Sequence, residues 1–478
     1  NADWRNFYAE EVISMPDKWE YPWFATWDLA FHCVSFSILD PDFAKSQLQL
    51  LTKEWYMHPN GQLPAYEWDF SDVNPPVHAW STFRVFKIDE KIKGKPDLAF
   101  LESVFQKLLL NFTWWVNRKD KNGNNVFGGG FLGLDNIGAF DRNTQFQNGE
   151  YLEQADGTSW MAMFALNMMR IAMELALYNP VYEDMAIKFF EHYLYIAEAM
   201  ESLGEDKKGL WDEEDGFFYD VLQLNDGTGI SLKLRSIVGL IPMFAVEVVE
   251  HDMLEKMPKF KARMDWILKN KEELANLVSH WEVEGKGRKH LMSILRKNRL
   301  TKILNRMLDE KEFLSEFGIR SMSKTYEEKP FQLEINGINH VVHYTPAESD
   351  SRMFGGNSNW RGPIWFPINF LIVESLQRFH FYYDNSLKVE LPTGSGNFKN
   401  LGEISENLSR RLSNIFLKND EGKRAFNGNV DKFNEDEHFK NYIMFYEYFH
   451  GDNGRGVGAS HQTGWTSTVA KLINPRMK

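Results

Sequence analysis

Two carboxylates stand in settings that can do acid and base chemistry. Asp135 follows the glycine-rich run Phe127-Gly-Gly-Gly-Phe-Leu-Gly-Leu and precedes Asn136-Ile137. Set among apolar neighbours, its carboxyl is disfavoured in the charged form and keeps a proton near neutrality, as a general acid must. Glu447 stands between Tyr446 and Tyr448, ahead of a second glycine-rich run, His450 to Ser460, that leads into His461-Gln462-Thr463-Gly464-Trp465-Thr466. Held ionised by hydrogen bonds, it can serve as base toward a water. A surface glutamate on a strand is the plainer alternative for Glu447, and a phosphate cradle is the rival for the glycines around Asp135. That cradle lacks the lysine of a P-loop, and no apolar strand leads into it.

Three further stretches set charged side chains beside rings. Tyr21-Pro-Trp-Phe-Ala-Thr-Trp27-Asp28 opens an apolar helix, so Asp28 is either a helix cap or a hydroxyl-binding group. Tyr66-Glu67-Trp68-Asp69-Phe70-Ser71-Asp72 runs through Asn74 to Pro75, Pro76 and His78. Its acids can bind hydroxyls while a ring stacks on an apolar face, and one of them, Asp72, is a second candidate acid; a cap on a helix beginning at Pro75 or Pro76 is the other reading. Asn357-Ser-Asn-Trp360-Arg361-Gly-Pro-Ile-Trp365-Phe-Pro367 places two indoles and a guanidinium at a proline-led helix start. The proline explains itself there, but the two tryptophans and Arg361 ask for a ligand rich in hydroxyls.

Other chemistries find little footing. The 13 histidines form no H-E-x-x-H, and Asp120-Lys-Asn-Gly-Asn124 misplaces its glycine for an EF-hand. There is no Gly-x-Ser-x-Gly elbow. The net charge of -13 argues against a nucleic-acid partner and against acidic polymers as substrates. The single cysteine, Cys33, lies in an apolar run and reads as a small buried hydrophobe in a protein without disulfides. We expect no metal and no cofactor.

These residues need a scaffold, and helical periodicity supplies it. Apolar stripes predict helices over Ala44–Tyr56, Asp97–Trp115, Thr158–Leu177, Val181–Leu203, Pro363–Phe379, Glu403–Leu417 and Gly464–Leu472. Strand-like alternation is confined to Phe217–Leu222 and Phe331–Val342. Long loops, Pro59–Pro76, Gly123–Gly157, Tyr344–Gly362 and His450–Thr463, hold Asp72, Asp135, Trp360 and Arg361, which suits a ring of helices with decorated ends better than a bundle with short connections. The segment 256–311, rich in Lys, Glu and Arg, reads as a solvated helical face. Ile237–Val249, the longest apolar run, is broken by Pro242 and too short to span a bilayer. A soluble protein of cytoplasm or periplasm is expected.

Taken in order, the five stretches resemble the catalytic domain of family 63 glycoside hydrolases, the group holding processing α-glucosidase I and mannosylglycerate hydrolase. Gly133-Leu-Asp135-Asn136, Trp360-Arg-Gly-Pro-Ile-Trp365, and Tyr446-Glu447-Tyr448 with the later Gly464-Trp465-Thr466 carry the likeness, which runs from Trp23 to Leu472. The resemblance implies an all-α (α/α)6 barrel over residues 1–478, an N-terminal β-sandwich domain and first helix being absent from this chain. It implies Asp135 as general acid and Glu447 as general base, with Tyr21, Trp27, Asp28, Trp360, Arg361, Trp365 and Trp465 around the sugar. Relatives often have Glu-Ser before the Gly-x-Asp motif, where this sequence has Phe131-Leu132.

The mechanism so implied is inverting hydrolysis, with the two carboxyls roughly 6.5 to 9.5 Å apart so that a water fits between base and anomeric carbon. The acid should have a raised pKa and the base an ordinary one. We expect exo-acting release of a terminal α-linked glucose, or a related hexose, from an oligosaccharide or small glycoside. A phosphorylase on the same barrel and a non-catalytic glycan-binding protein are the alternatives.

Overall fold

The computed structural model describes residues 3–67, 69–118, 125–144, 146, 149–201, 209–271, 274, 288–335, 337–356, 358–461 and 463–473. Trp68, Asn357, Gln462 and the stretch 120–124 fall outside the described residues.

Helices dominate, and among the described residues the strands form only sheets of two or three. Local chemistry fixes where several helices begin. After α1 (Thr26–Leu39), α2 (Pro41–Leu50) starts where the Asp40 carboxylate accepts the Phe43 N–H at 3.0 Å and Pro41 supplies a preset φ. The helix α3 (His78–Lys93) stops at Gly94, whose φ of 71° is a left-handed stop. Asp97 caps α4 (Leu98–Val116) by accepting the Phe100 N–H at 3.1 Å. Near the C-terminus, Asn400 and Glu403 cap Leu401–Asn414 reciprocally, each side chain taking the other's backbone N–H.

The helix α5 (Ala155–Ala176) is buried on every side except at Arg170, so it forms the centre of the core and not its edge. It packs against α3, α4 and α6 (Tyr182–Glu201). The helix α1 lies on α2 and α3, and Phe366–Tyr383 lies on Leu401–Asn414. Each fully buried Leu, Met or Phe along these contacts is worth roughly 1.5–3 kcal/mol relative to exposure, far more than helix propensity supplies. Cys33 sits in this core, fully buried, and burial pushes its thiol pKa up.

The predicted helices are present with shifted ends, save that Gly464–Leu472 is two short helices, Thr463–Thr466 and Val469–Ile473. Phe331–Ile335 and Ile338–Val342 pair as the expected hairpin. The charged stretch 256–311 departs from expectation. Its described part contains helices Pro258–Asn270 and Lys297–Met307, but between them Lys289–Ser293 is a strand paired antiparallel to Val246–Glu250. His290 to Ser293 are all buried, so a buried strand hides inside a run whose average charge is high. No helix among the described residues is long and apolar enough to cross a membrane.

Candidate active site

The glycine-rich loop that ends in Asp135 is held from both sides. Gln154, just before α5, accepts the N–H groups of Gly129 and Gly130 at 2.6 and 2.7 Å and donates to the Gly130 carbonyl at 2.8 Å. The Phe127 N–H donates to the Thr158 hydroxyl at 3.1 Å, which explains why the sequence pairs this loop with the start of α5. Gly133 must be glycine: its φ is 70°, and a Cβ there would come within 2.8 Å of the Trp27 ring.

On the other side, Asn136 clasps the Trp360 segment. Its amide oxygen accepts the Trp360 N–H at 2.7 Å, and its amide nitrogen donates to Asn359 at 3.0 Å and Ser349 at 3.2 Å. Arg361 completes the clasp by donating to the carbonyls of Asn136 at 2.6 Å and Gly138 at 2.8 Å. Its guanidinium is therefore spent on the loop, and Arg361 does not line the cavity described below. The two carbonyls need donors where water is excluded, and Arg361 supplies them.

Glu447 is set by the C-terminal hairpin, in which Tyr448 and Phe449 pair with Val457 and Gly456. Its own N–H donates to the Ala459 carbonyl at 2.8 Å, the Ala459 N–H donates to its carboxylate at 3.2 Å, and the Trp465 indole N–H donates to its carbonyl at 2.9 Å. Gly458 has a φ of 72°, and a Cβ there would lie 2.5 Å from the Glu447 carboxylate. Glu447 is 5% exposed, not on the surface.

These loops meet at one cavity of about 270 Å³, lined by both Asp135 and Glu447. Its floor is indole. Trp360 and Trp365 stack at 3.9 Å with planes 4° apart, Tyr448 stacks on Trp365 at 4.4 Å, and Trp465 meets Trp27 edge-on at 5.3 Å. The four tryptophans are buried, while the rim of Tyr21, Trp23, Tyr66, Phe131 and Phe354 is partly exposed. Asp28 also lines the cavity, from the first turn of α1, whose N-cap is Ala25. Asp72 opens onto a neighbouring cavity; it accepts the Tyr66 hydroxyl at 3.2 Å and the Val73 N–H at 2.8 Å and does not cap α3, whose N-cap is Val77.

The electrostatics are those of crowded acids. Burial raises the Asp135 pKa to about 6, against the pull of the Ser358 hydroxyl that donates to it. Burial also holds Glu447 well above the usual glutamate value, opposed by a single backbone N–H and reinforced by the charges of Asp135 and Asp28. An ordinary pKa was expected for Glu447; burial, reinforced by the charges of nearby acids, overrides the one hydrogen bond. Burial, and after it the charges of Glu447 and Asp135, raise the Tyr21 phenol. Among the described residues the lining has no Lys, Arg or His, and no three metal-ligating side chains converge anywhere.

Of the residues singled out in the sequence, Tyr21, Trp27, Asp28, Asp135, Trp360, Trp365, Glu447 and Trp465 share the cavity, and Asp72 and Arg361 do not line it. Ser358, Phe131 and Phe354 belong to the lining without having been given a role. The signal for Phe354 was available: Phe354-Gly-Gly repeats, in a loop without periodicity, the aromatic-glycine pattern of Phe127-Gly-Gly.

Comparison with known proteins identifies the family. Residues 21–264 match the family model of the mannosylglycerate hydrolase MGH1-like glycoside hydrolase domain, and residues 288–475 match that of the glycosyl hydrolase family 63 C-terminal domain. An uncharacterized protein of Saccharomyces cerevisiae is 54% identical over 99% of this chain, which spans 45% of that protein's length. The mannosyl-oligosaccharide glucosidase of the same yeast is 25% identical over 37% of this chain and 15% of its own length. The chain thus spans less than half the length of the curated relatives it matches. Among solved structures, family 63 mannosylglycerate hydrolase from Thermus thermophilus shares the fold. Its complex with glucose has a TM-score of 0.52 at 15% identity, covering 98% of this chain and 96% of that one. Its complex with Tris and D-glycerate gives 0.54 at 14%, covering 98% and 97%. The first family model alone spans more than half of the sequence, and the chain belongs to glycoside hydrolase family 63.

Proposed function

We propose that this chain is an inverting, exo-acting α-glycosidase that releases a terminal α-linked glucose or related hexose, on an (α/α)6 toroid of paired helices. The observation that carries this is the shared cavity of Asp135 and Glu447, two acids from opposite ends of the chain enclosed with a tryptophan floor. In this reading Asp135 protonates the departing glycosidic oxygen, and Glu447 takes a proton from a water attacking the opposite face of the anomeric carbon. The glycosidic C–O bond breaks, a C–O bond to water forms, and the configuration inverts.

The surroundings support those roles. A carboxyl with a pKa near 6 is protonated for a useful fraction of the time at neutral pH, which suits Asp135 as the acid. The indoles offer flat apolar faces to a pyranose, and Asp28 and Tyr21 offer partners for its hydroxyls. The lack of any cation in the described lining gives inorganic phosphate nothing to bind, which favours water over phosphate as the nucleophile.

The test is turnover with stereochemistry. A panel of α-glucosyl, α-mannosyl and α-galactosyl disaccharides is incubated with the protein, and the first-formed anomer is read by NMR. A β-hexose product is expected from an α-glucoside. Asp135→Asn and Glu447→Gln should each lower kcat by about 10²–10⁴-fold. An α-anomer formed first, or full activity in Glu447→Gln, overturns the mechanism.

A further inference from the structure

We propose that Phe131 and Phe354 form the leaving-group half of this cavity, a pair of rings that accepts a neutral leaving group with an apolar face, such as a second sugar, and rejects an anionic one. The inference rests on the glycosidase reading above and adds the identity of what departs.

Depth assigns the two halves. The sugar that reacts must lie between Asp135 and Glu447, over the buried indoles, so whatever is attached to it points toward the partly exposed rim. There Phe131 and Phe354 face each other with ring centroids 5.1 Å apart and planes inclined by 42°. Tyr66 stands 6.4 Å from Phe131 and extends the surface. Rings in this arrangement present apolar faces to a flat or chair-shaped group, and a sugar in the pyranose form has such a face.

Backbone geometry shows that both rings are held where they are at a cost. Phe354 itself is left-handed, with φ 50° and ψ 35°, and Leu132, the residue after Phe131, has a φ of 49°. Such a conformation disfavours a residue with a side chain by about 1–2 kcal/mol, and it persists where surrounding bonds impose it. Those bonds are present. The Ser349 hydroxyl donates to the Ser351 carbonyl at 2.9 Å and accepts the Ser351 N–H at 3.1 Å, and the Ser351 hydroxyl accepts the Met353 N–H at 3.0 Å. Asn136, beside Asp135, donates to Ser349 at 3.2 Å, so the Phe354 loop is tied to the loop that bears the acid.

Charge assigns the preference. Asp28, Asp135 and Glu447 line the cavity, and among the described residues no Lys, Arg or His does. Arg352, on the Phe354 loop, is exposed and outside the lining. A carboxylate on the leaving group would meet like charge without a compensating cation, whereas a neutral sugar would meet two rings.

The test separates this from the hydrolase reading by using leaving groups of different kinds on one sugar. Fluoride release from α-glucosyl and α-mannosyl fluoride reports the catalytic acids alone, because fluoride is too small to reach the rim. Neutral α-linked disaccharides of glucose and mannose are then compared with α-glucosylglycerate and α-mannosylglycerate. The neutral glycosides should exceed the matching glycerates in kcat/KM by about tenfold or more. Phe354→Ala and Phe131→Ala should each lower kcat/KM for the neutral disaccharide by about tenfold, the size of a lost stacking contact, while fluoride turnover stays within about twofold. Phe354→Leu, which keeps the bulk and loses the ring, should behave as Phe354→Ala does. Glycerates turned over as well as neutral disaccharides, or alanine variants that slow both probe types equally, overturn the subsite and leave the hydrolase reading standing. No fluoride release from the parent protein removes the hydrolase reading and the subsite with it.

Discussion

At the residue scale the two acids share a difficulty. Both have raised pKa values, through burial first and, for Glu447, through the charge of Asp135 as well, so the pair holds on to protons that isolated carboxyls would have lost. Activity should therefore fall as pH rises through about 6, where Asp135 gives up the proton it must donate, and a kcat/KM profile measures this directly. Stability follows the same sign. A carboxyl whose pKa is higher in the fold than in the unfolded chain stabilises the fold while protonated, and that contribution is lost as pH rises through the folded value. The Asp135 shift from 3.8 to about 6 corresponds to at most about 3 kcal/mol lost between pH 4 and pH 7. Asp135→Asn should thus be more stable than the parent at pH 8 and no more stable at pH 4, as urea melts at the two pH values will show. The raised acid was legible in the sequence, because apolar neighbours and glycines around Asp135 announce desolvation. The raised base was not, since most of the residues that line the cavity with Glu447, Trp27, Asp135 and Trp360 among them, are far away in the chain.

At the scale of elements the site is a junction of loops, and its precision comes from the side chains that tie loop to loop. Asn136 is the chief of these. Asn136→Ala strands the buried Trp360 N–H and frees the Ser349 end of the neighbouring loop. A loss of about 1–3 kcal/mol in unfolding free energy is expected, together with a drop in kcat, read by urea titration and steady-state kinetics on the same sample. Gly458→Ala has a different signature. Its Cβ would displace the Glu447 carboxylate, and its left-handed φ adds about 1–2 kcal/mol of strain, so kcat should fall steeply while KM changes little. Sequence spacing found both loops and both acids, because helix stripes mark out what lies between them. It gave no sign of the bonds from Arg361 to backbone carbonyls, which leave no trace in residue type. It also missed the strand Lys289–Ser293, where four buried residues are outvoted by charged neighbours.

At the scale of the whole molecule, a net charge of -13 surrounds a cavity that is itself acidic. A sugar mimic bearing a protonated amine should bind more tightly than its neutral counterpart, and the difference should shrink as salt rises from roughly 20 to 500 mM, since screening weakens attraction over distances longer than about 10 Å at 0.1 M. Isothermal titration of a matched iminosugar and neutral sugar checks it; equal affinities at low salt would contradict the charge pattern. The helical character of the molecule was legible throughout, from stripes such as Leu98–Val116, because amphipathic periodicity is a local property. Which helices touch, and that α5 lies at the centre, depends on contacts between distant segments. The near-continuous burial of α5 could still be anticipated from Trp160 to Ala176, where polar residues are few.

The solitary sulfhydryl at position 33 has a practical corollary. Sealed in the core and reluctant to ionise, it should ignore maleimides under native conditions, so the molecule offers a blank background for site-directed labelling. A cysteine placed at the mouth, at Phe354 or beside it at Arg352, would then be the one reactive thiol, and a dye attached there would turn occupancy of the rim into a fluorescence signal.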